Sequence, residues 1–344
     1  MAKTRKTLAI SAVAGILLMC LSAAAAAERQ LVPMGCTVGV SLKTEGVMVV
    51  DVSYEKLQGQ EMPAAQAGVL PGDIIVAVGD RSISCGEDFK AAVSELTGSE
   101  IELEIMRNGI RLQLVLKPVM QEGTAKLGLW LRDGISGIGT LTFYDPQTGV
   151  YGGLGHGVND TQSGLLIYPA GGEINRSSVE QIKRGLPGEP GELGGQVVPE
   201  QVWGDIRMNT TSGIFGILSA DCPHTNKAIP VAKENEIELG RAVILANVRD
   251  AQVEEFEVQV LKLYPENENG RSLMLQVTDE TLLELTGGIV QGMSGSPIIQ
   301  NGKLIGAVTH VMINDPTKGF GISAEDMLKT ADSGDWKQTA DKAA

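Results

Sequence analysis

Large aromatic rings, histidines and cysteines are all scarce in this sequence, and each scarcity removes a class of protein. Aromatic residues make up 4% of the 344 residues, while glycines number 43. Many glycines and few rings point to a turn-rich, mostly β architecture in which backbone passes close to backbone. There are three histidines, with no HExxH and no paired CxxC, so neither a dedicated zinc site nor any other cofactor is expected. The four cysteines are Cys20, Cys36, Cys85 and Cys222. Cys20 lies in an apolar run, and the other three are an odd number at unrelated spacings, which does not support a disulfide framework. Basic stripes are missing beyond the first residues, and the net charge is -14. Phosphate binding needs clustered Lys and Arg, so nucleic acid is not expected as a partner. Hydrophobic residues at 43% and charged residues at 20% are ordinary for folded protein.

At the N-terminus Lys3, Arg5 and Lys6 precede an unbroken apolar run over residues 8–27. A positive flank and an apolar core of this length read as an export signal, and also suffice to span a bilayer. Small residues from Ala23 to Ala27 offer cleavage positions, so removal and retention as an anchor both stay open. Residues 1–27 are thus expected to be a signal or anchor segment and residues 28–37 a linker. Residues 38–120 read as short strands and one helix, and residues 121–331 as a Gly-rich series of short strands broken by turn clusters, such as Asp145-Pro146-Gln147-Thr148-Gly149. Such regular spacing suggests a barrel or sandwich. Residues 332–344 form a polar tail.

Within residues 38–120, Ser84 and Glu87 have the spacing of a capping box, and Asn108-Gly109 marks a hairpin. The stretch Ala67-Gly68-Val69-Leu70-Pro71-Gly72-Asp73-Ile74-Ile75 resembles the AGL.PGD.I segment of bacterial PDZ domains. The resemblance implies a peptide held by strand addition. It implies a carboxylate-binding loop at Thr37, Val38, Gly39 and Val40, where Gly39 lets backbone N–H groups converge on an anionic chain end.

Chemistry concentrates in Gly287-Gly288-Ile289-Val290-Gln291-Gly292-Met293-Ser294-Gly295-Ser296-Pro297-Ile298-Ile299. A serine between glycines, followed by proline and an apolar strand, suits a chymotrypsin-like nucleophile loop. The glycines allow the tight turn that exposes Ser294, and the N–H groups of Gly292 and Ser294 can form an oxyanion hole. Ser296 competes as nucleophile. A base is needed, and His156 sits between glycines in Gly153-Leu154-Gly155-His156-Gly157. His224 follows Asp221-Cys222-Pro223 in a loop, and His310, on the strand after the nucleophile loop, is expected to pack. The third member, which would hold the imidazole tautomer, stays open among Asp160, Asp205, Asp221, Asp250 and Asp279.

Together GLGHG (residues 153–157), GIVQGMSGSPI (residues 288–298) and LIGAVTHV (residues 304–311) resemble the stage IV sporulation protein B peptidases of endospore-forming bacteria. That resemblance implies a mostly β fold, with a small α/β PDZ domain followed by a β-rich chymotrypsin-like peptidase domain of the double β-barrel type. It implies Ser294, His156 and Asp279 as the catalytic residues. It also implies an exported serine endopeptidase that crosses the forespore membrane, cleaves itself, and cuts the exposed domain of a membrane-bound regulator. The released intramembrane protease then activates a late sigma factor. The enzyme is implied to be membrane-anchored before self-cleavage, and afterwards to lie in the space between the forespore membranes. Two other readings stand beside this one: a non-catalytic PDZ scaffold on a protease-like fold, and a trypsin-plus-PDZ quality-control protease, in which the peptidase comes first.

Overall fold

The computed structural model describes residues 28–57, 59–160, 164–224, 226–250, 252–264 and 271–333. The apolar run 8–27 and the tail from residue 334 lie outside the described residues, and among the described residues no helix is long and apolar enough to cross a membrane. The fold is mostly β, as expected. Its strands are β1 (Gln30–Pro33), β2 (Thr37–Val52), β3 (Ile74–Val78), β4 (Ile101–Arg107), β5 (Ile110–Leu116), β6 (Leu129–Tyr144), β7 (Val150–Gly153), β8 (Gly171–Lys183), β9 (Glu192–Asp205), β10 (Gly213–Ile217), β11 (Gly240–Arg249), β12 (Gln252–Leu263), β13 (Leu273–Val277), β14 (Pro297–Gln300), β15 (Lys303–Met312) and β16 (Asp315–Ser323). Helices α1 (Pro63–Gln66), α2 (Gly86–Ser94), α3 (Glu280–Thr286) and α4 (Ala324–Asp332) complete the scaffold.

Two 16-residue strands organise the first half. The N-terminal part of β2 pairs with the C-terminal part of β6, from Thr37↔Thr140 to Lys43↔Gly134. There β2 also pairs with β8, and β6 with β7. The ring runs on through β7–β10 and β8–β9, and the bridge Gly204↔Leu218 closes it. Beyond a bulge, the remaining parts of the same two strands carry the sheet on into a second unit. There Met48↔Arg132 and Val52↔Leu129 pair, and β2 continues to β3, β4 and β5. The PDZ-like unit is therefore built into the long β2–β6 pair. The barrel takes Val38–Lys43 from the stretch expected to be PDZ, and the PDZ sheet takes Leu129–Arg132 from the stretch expected to be peptidase. The physical reason is strand length: a 16-residue strand spans about 50 Å, longer than one small sheet is wide. The second barrel closes in the order β11–β12–β13–β16–β15–β14.

Alternation along these strands fills separate cores. Val38, Val40, Leu141, Ile174 and Ile214 fill the first barrel, Val47, Ile75, Leu103 and Ile105 the PDZ sheet, and Ile244, Val258, Leu275 and Ile298 the second barrel. Phe143, Phe215, Leu304 and Met327 join the two barrels beneath α4. The linker expected at residues 28–37 is instead part of the fold. Val32↔Tyr144 and Pro33↔Phe143 pair β1 with β6, and Leu31, Val32 and Met34 are buried. Apolar residues there find a core, so the stretch does not stay free.

Local signals fared unevenly. Asn108 and Gly109 make the expected hairpin, both at positive φ. The Ser84–Glu87 box does not form. Asp88 Oδ2 accepts from Ser84 N, and the Asp133 carboxylate, arriving from β6, accepts from Gly86 N at 2.5 Å and caps α2. Helix α3 was not expected at all. Cys36 and Cys222, far apart in sequence, meet as hydrogen-bonded free thiols; that bond, then burial, pushes the Cys222 pKa up.

Asp73 in the PGD turn is 1% exposed. It accepts from Arg107 Nε and Nη2 at 2.7 Å each, and from Leu70 N at 2.8 Å. Removing the guanidinium leaves a buried carboxylate without its counter-charge. Arg107→Ala is expected to lower unfolding free energy by about 2 kcal/mol, read from urea denaturation, with the discount that Arg107 is partly exposed.

Candidate active site

Strand β6 builds the site by holding the nucleophile loop from the opposite barrel. Thr140 N donates to Ser294 O at 2.9 Å, Thr140 Oγ1 to Gly292 O at 2.7 Å, and Thr142 Oγ1 to Gly295 O at 2.8 Å. Gly295 lies at φ +98, and a Cβ there would come within 1.9 Å of Thr140 O, so only glycine fits. With these carbonyls turned toward β6, the N–H groups of Gly292 and Ser294 carry no hydrogen bond to the described residues. Met293 between them is fully buried and anchors the loop in the second core.

Ser294 lines a cavity of about 620 Å³ together with His156, His310, Gly292, Asp160 and Ile138. Its hydroxyl donates to Thr309 O at 2.8 Å. Ser296 is 0% exposed and its Oγ has no partner. It faces the interior, which leaves Ser294 as the accessible hydroxyl.

His156 follows a strained turn, with Leu154 at φ 66 and Gly155 at φ +68. Gly155 packs so closely that a Cβ would meet Thr309 Cγ2 at 2.9 Å. The loop after the histidine is held by Asn209, buried at 5% exposure. Asn209 accepts from Val158 N and donates to Val158 O and Ile167 O. His156 Nδ1 lies 2.8 Å from Gly157 O. A carbonyl can only accept, so Nδ1 carries the proton and Nε2 keeps a free lone pair. Burial pushes the His156 pKa below the ordinary histidine value, against an opposing effect of the Gly157 bond. The imidazole is therefore a neutral base near pH 7.

The sequence expectations divide at this point. Ser294, His156 and Gly292 come together. Asp279 does not join them: it is the N-cap of α3, its Oδ1 accepting from Leu282 N at 3.0 Å and its Oδ2 from Glu257 N at 3.3 Å. Both oxygens are occupied by backbone, and the residue is absent from the cavity wall. Of the five aspartates considered, Asp160 alone is among the residues lining the cavity. His224 stacks on Tyr144, with ring centroids 5.0 Å apart, outside the cavity. His310, expected to pack, instead presents an exposed ring 5.0 Å from that of His156. Partial loss of hydration on the cavity wall, then His156, then Arg271 push its pKa down to about 4. Periodicity gave no signal for it, because residues 304–309 are all buried and a bulge falls between Val308 and His310.

The loop expected to hold a peptide carboxylate is not open in the fold. Thr37, Val38, Gly39 and Val40 pair with β6 on one side; Val38, Gly39 and Val40 also pair with β8 on the other. A strand with both edges occupied cannot accept a guest. The open groove of the PDZ sheet lies between α2 and the start of β6. It is a cavity of about 330 Å³ lined by Phe89, Val93, Lys126, Gly128, Leu129 and Trp130. Gly128 sits at φ +79 where the chain turns into the strand. The signal was Leu127-Gly128-Leu129, an apolar-Gly-apolar turn opening a strand, which lay outside the stretch expected to be PDZ.

A glycine-bounded serine and a neutral histidine lining one cavity between two β-barrels, with a PDZ sheet attached, define a PDZ-containing serine peptidase. The SpoIVB peptidase S55 family model matches residues 123–328, more than half of the chain, and a PDZ domain model matches residues 34–117. The chain belongs to the SpoIVB peptidase S55 family. Among curated proteins it is similar to the zinc metalloprotease RasP of Oceanobacillus iheyensis, 34% identical over 84 residues, which are 24% of this chain and 20% of that protein. It is also similar to the putative zinc metalloprotease R01501 of Rhizobium meliloti, 28% identical over 141 residues, 39% of this chain and 37% of that one. The chain thus spans a fifth to little more than a third of the length of these relatives. Among solved structures it is similar to the active form of the Rv3671c protease of M. tuberculosis, with 13% identity, TM-score 0.31, and coverage of 57% of this chain and 72% of that one. The HtrA-type protease AlgW with a decapeptide gives 12% identity, TM-score 0.31, and coverage of 59% and 54%.

Two measurements follow. Asp279→Ala removes a helix cap and is expected to cost about 1–2 kcal/mol in urea denaturation while leaving the pH–rate profile unmoved. His310 resists protonation in the folded state and takes up protons near pH 6.5 when unfolded. Its contribution to stability is therefore present above that value and is lost as pH falls toward about 4. Thermal unfolding followed from pH 7 to 4 is expected to be less acid-sensitive in His310→Gln than in the parent protein.

Proposed function

We propose that Ser294 is the nucleophile and His156 the general base of an exported serine endopeptidase. The observation that carries this reading is the shared cavity, in which the accessible serine meets a histidine whose Nε2 lone pair is free. The serine hydroxyl rotates from Thr309 O to His156 Nε2, gives up its proton and attacks the substrate carbonyl. The developing oxyanion is stabilised by the N–H groups of Gly292 and Ser294. The imidazolium then passes the proton to the leaving amine, and water repeats the sequence on the acyl-enzyme. The Gly157 carbonyl takes the orienting role that an aspartate plays elsewhere, since it accepts from Nδ1. Thus Asp279, implied by the family resemblance as a third catalytic member, acts here on α3.

Family membership supports a biological role in endospore formation. In this reading the enzyme is tethered through residues 8–27, cleaves itself, and cuts the exposed domain of a membrane-bound regulator of an intramembrane protease, which in turn activates a late sigma factor. It works in the space between the forespore membranes. The groove beside α2 holds the docking peptide. Self-cleavage falls before Leu31, because from that residue onward the chain is built into the barrel.

Ser294→Ala is expected to reduce hydrolysis of a short peptide by at least about a thousandfold while the far-UV circular dichroism is kept. The acid limb of kcat/KM in the parent is expected below pH 6.5, because burial holds His156 neutral. A limb above that value, or equal turnover by Ser294→Ala, refutes the assignment.

A further inference from the structure

The groove beside α2 and the cavity around Ser294 are lined by the same strand. Leu129 and Trp130 of β6 form the wall of the groove, and Ile135, Gly137 and Ile138 of β6 form the wall of the cavity. Between them only one edge of β6 is occupied, by β2. Among the described residues no strand pairs with the other edge from Leu129 to Gly139, and most of that stretch is exposed or half-exposed.

The polarity of that edge can be read from Thr140. Its N–H goes to Ser294 O and its C=O accepts from Leu154 N, so both groups point away from β2. The strand is regular from Gly134 to Thr140, and backbone groups alternate along it, so those of Ile138 and Ser136 point the same way. An unpaired run of N–H and C=O groups is a template for an added strand. Two contacts brace this edge at its middle. Asp133 caps α2 through Gly86 N, which sets the width of the groove, and the Arg132 guanidinium lies 4.0 Å from the Asp160 carboxylate on the cavity wall.

We propose that, for substrates other than the chain's own N-terminal segment, the free edge of β6 is a single track. An extended substrate is held by its free carboxyl end in the groove and led along the strand into the cavity, so that the cut falls a set number of residues before that end. The proposal rests on the assignments of Ser294 and of the groove made above and adds the connection between them. Direction follows from charge. The carboxylate belongs at the turn of Lys126 and Gly128, so the guest runs antiparallel to β6 and its upstream residues reach Ile138. The guest also continues the antiparallel pairing of the whole sheet. From Leu129 to Ile138 is about nine residues at ~3.3 Å each, or roughly 30 Å of extended chain. Holding the end of the chain raises the effective concentration of one particular bond at Ser294, and of no other.

The test uses the whole protein and peptides of randomised sequence and fixed length, longer than the track, bearing a free C-terminal carboxylate. Cut positions are read by mass spectrometry. Cuts are expected to cluster about nine residues from the C-terminus. The cluster is expected to disperse with C-terminal amides and in Ser136→Pro, whose ring removes an edge N–H that β2 does not use. Cuts scattered without regard to the C-terminus, or an unchanged cluster in the amides, overturn the track. A measurement that needs no turnover separates this from the identity of the nucleophile. In Ser294→Ala, fluorescence anisotropy with the same peptides is expected to show affinity falling about tenfold when Ser136→Pro is added. Equal affinity in the two proteins overturns the track, whatever residue performs the cleavage.

Discussion

Three hydrogen bonds from Thr140 and Thr142 to the carbonyls of Gly292, Ser294 and Gly295 are what the rest of this structure depends on. They tie a strand of the first barrel to the loop of the second. By fixing which way the carbonyls point, they leave the N–H groups of Gly292 and Ser294 without a hydrogen bond to the described residues, as the proposed oxyanion hole requires. Fixed dipoles of this kind are worth most where water is excluded and nothing must reorganise during reaction. The loop can take that shape only because Gly295 brings no Cβ against Thr140 O.

The same strand forms the wall of the PDZ groove at its other end. A β-strand is stiff along its length, and β2 and β6 are paired through both sheets. The groove and the cavity are therefore not parts of two bodies joined by a tether. Leu129 and the Thr140 clamp lie on one strand, with bulges at Trp130/Leu131 and Arg132/Gly134 between them, and Arg132 approaches Asp160 on the cavity wall. The histidine side is held differently. Asn209 secures the loop, the Gly157 carbonyl selects the tautomer, and burial keeps the ring neutral.

Much of this was legible residue by residue. Gly292-Met293-Ser294-Gly295 and Gly155-His156-Gly157 announce exposed polar groups on tight turns, because glycine is the residue that such backbone demands. The Pro71-Gly72-Asp73 turn and the Asn108-Gly109 hairpin likewise need only local geometry. What misled was equally local in form. Asp279 has the chemistry of a catalytic carboxylate and of a helix cap, and nothing nearby in sequence separates the two. Thr37 to Val40 looks like a loop that could receive a carboxylate until β6 and β8 are seen on its two sides. Ser84 and Glu87 have the spacing of a cap, yet α2 is capped by Asp133, brought from a distant strand.

By itself, then, the sequence determined the mostly β class, the turn positions, the glycine-bounded settings of Ser294 and His156, and the presence of a PDZ segment. All are consequences of short-range sterics and of patterning over a few residues. Tertiary structure alone decided which edges are covered, which carboxylates are occupied, that His310 faces His156, and that the PDZ sheet is built into the barrel's own strands. Those outcomes depend on pairings between residues more than a hundred positions apart, such as Thr37 with Thr140 and Thr140 with Ser294. A β-ladder's partner is chosen by the whole set of competing strands rather than by the strand itself.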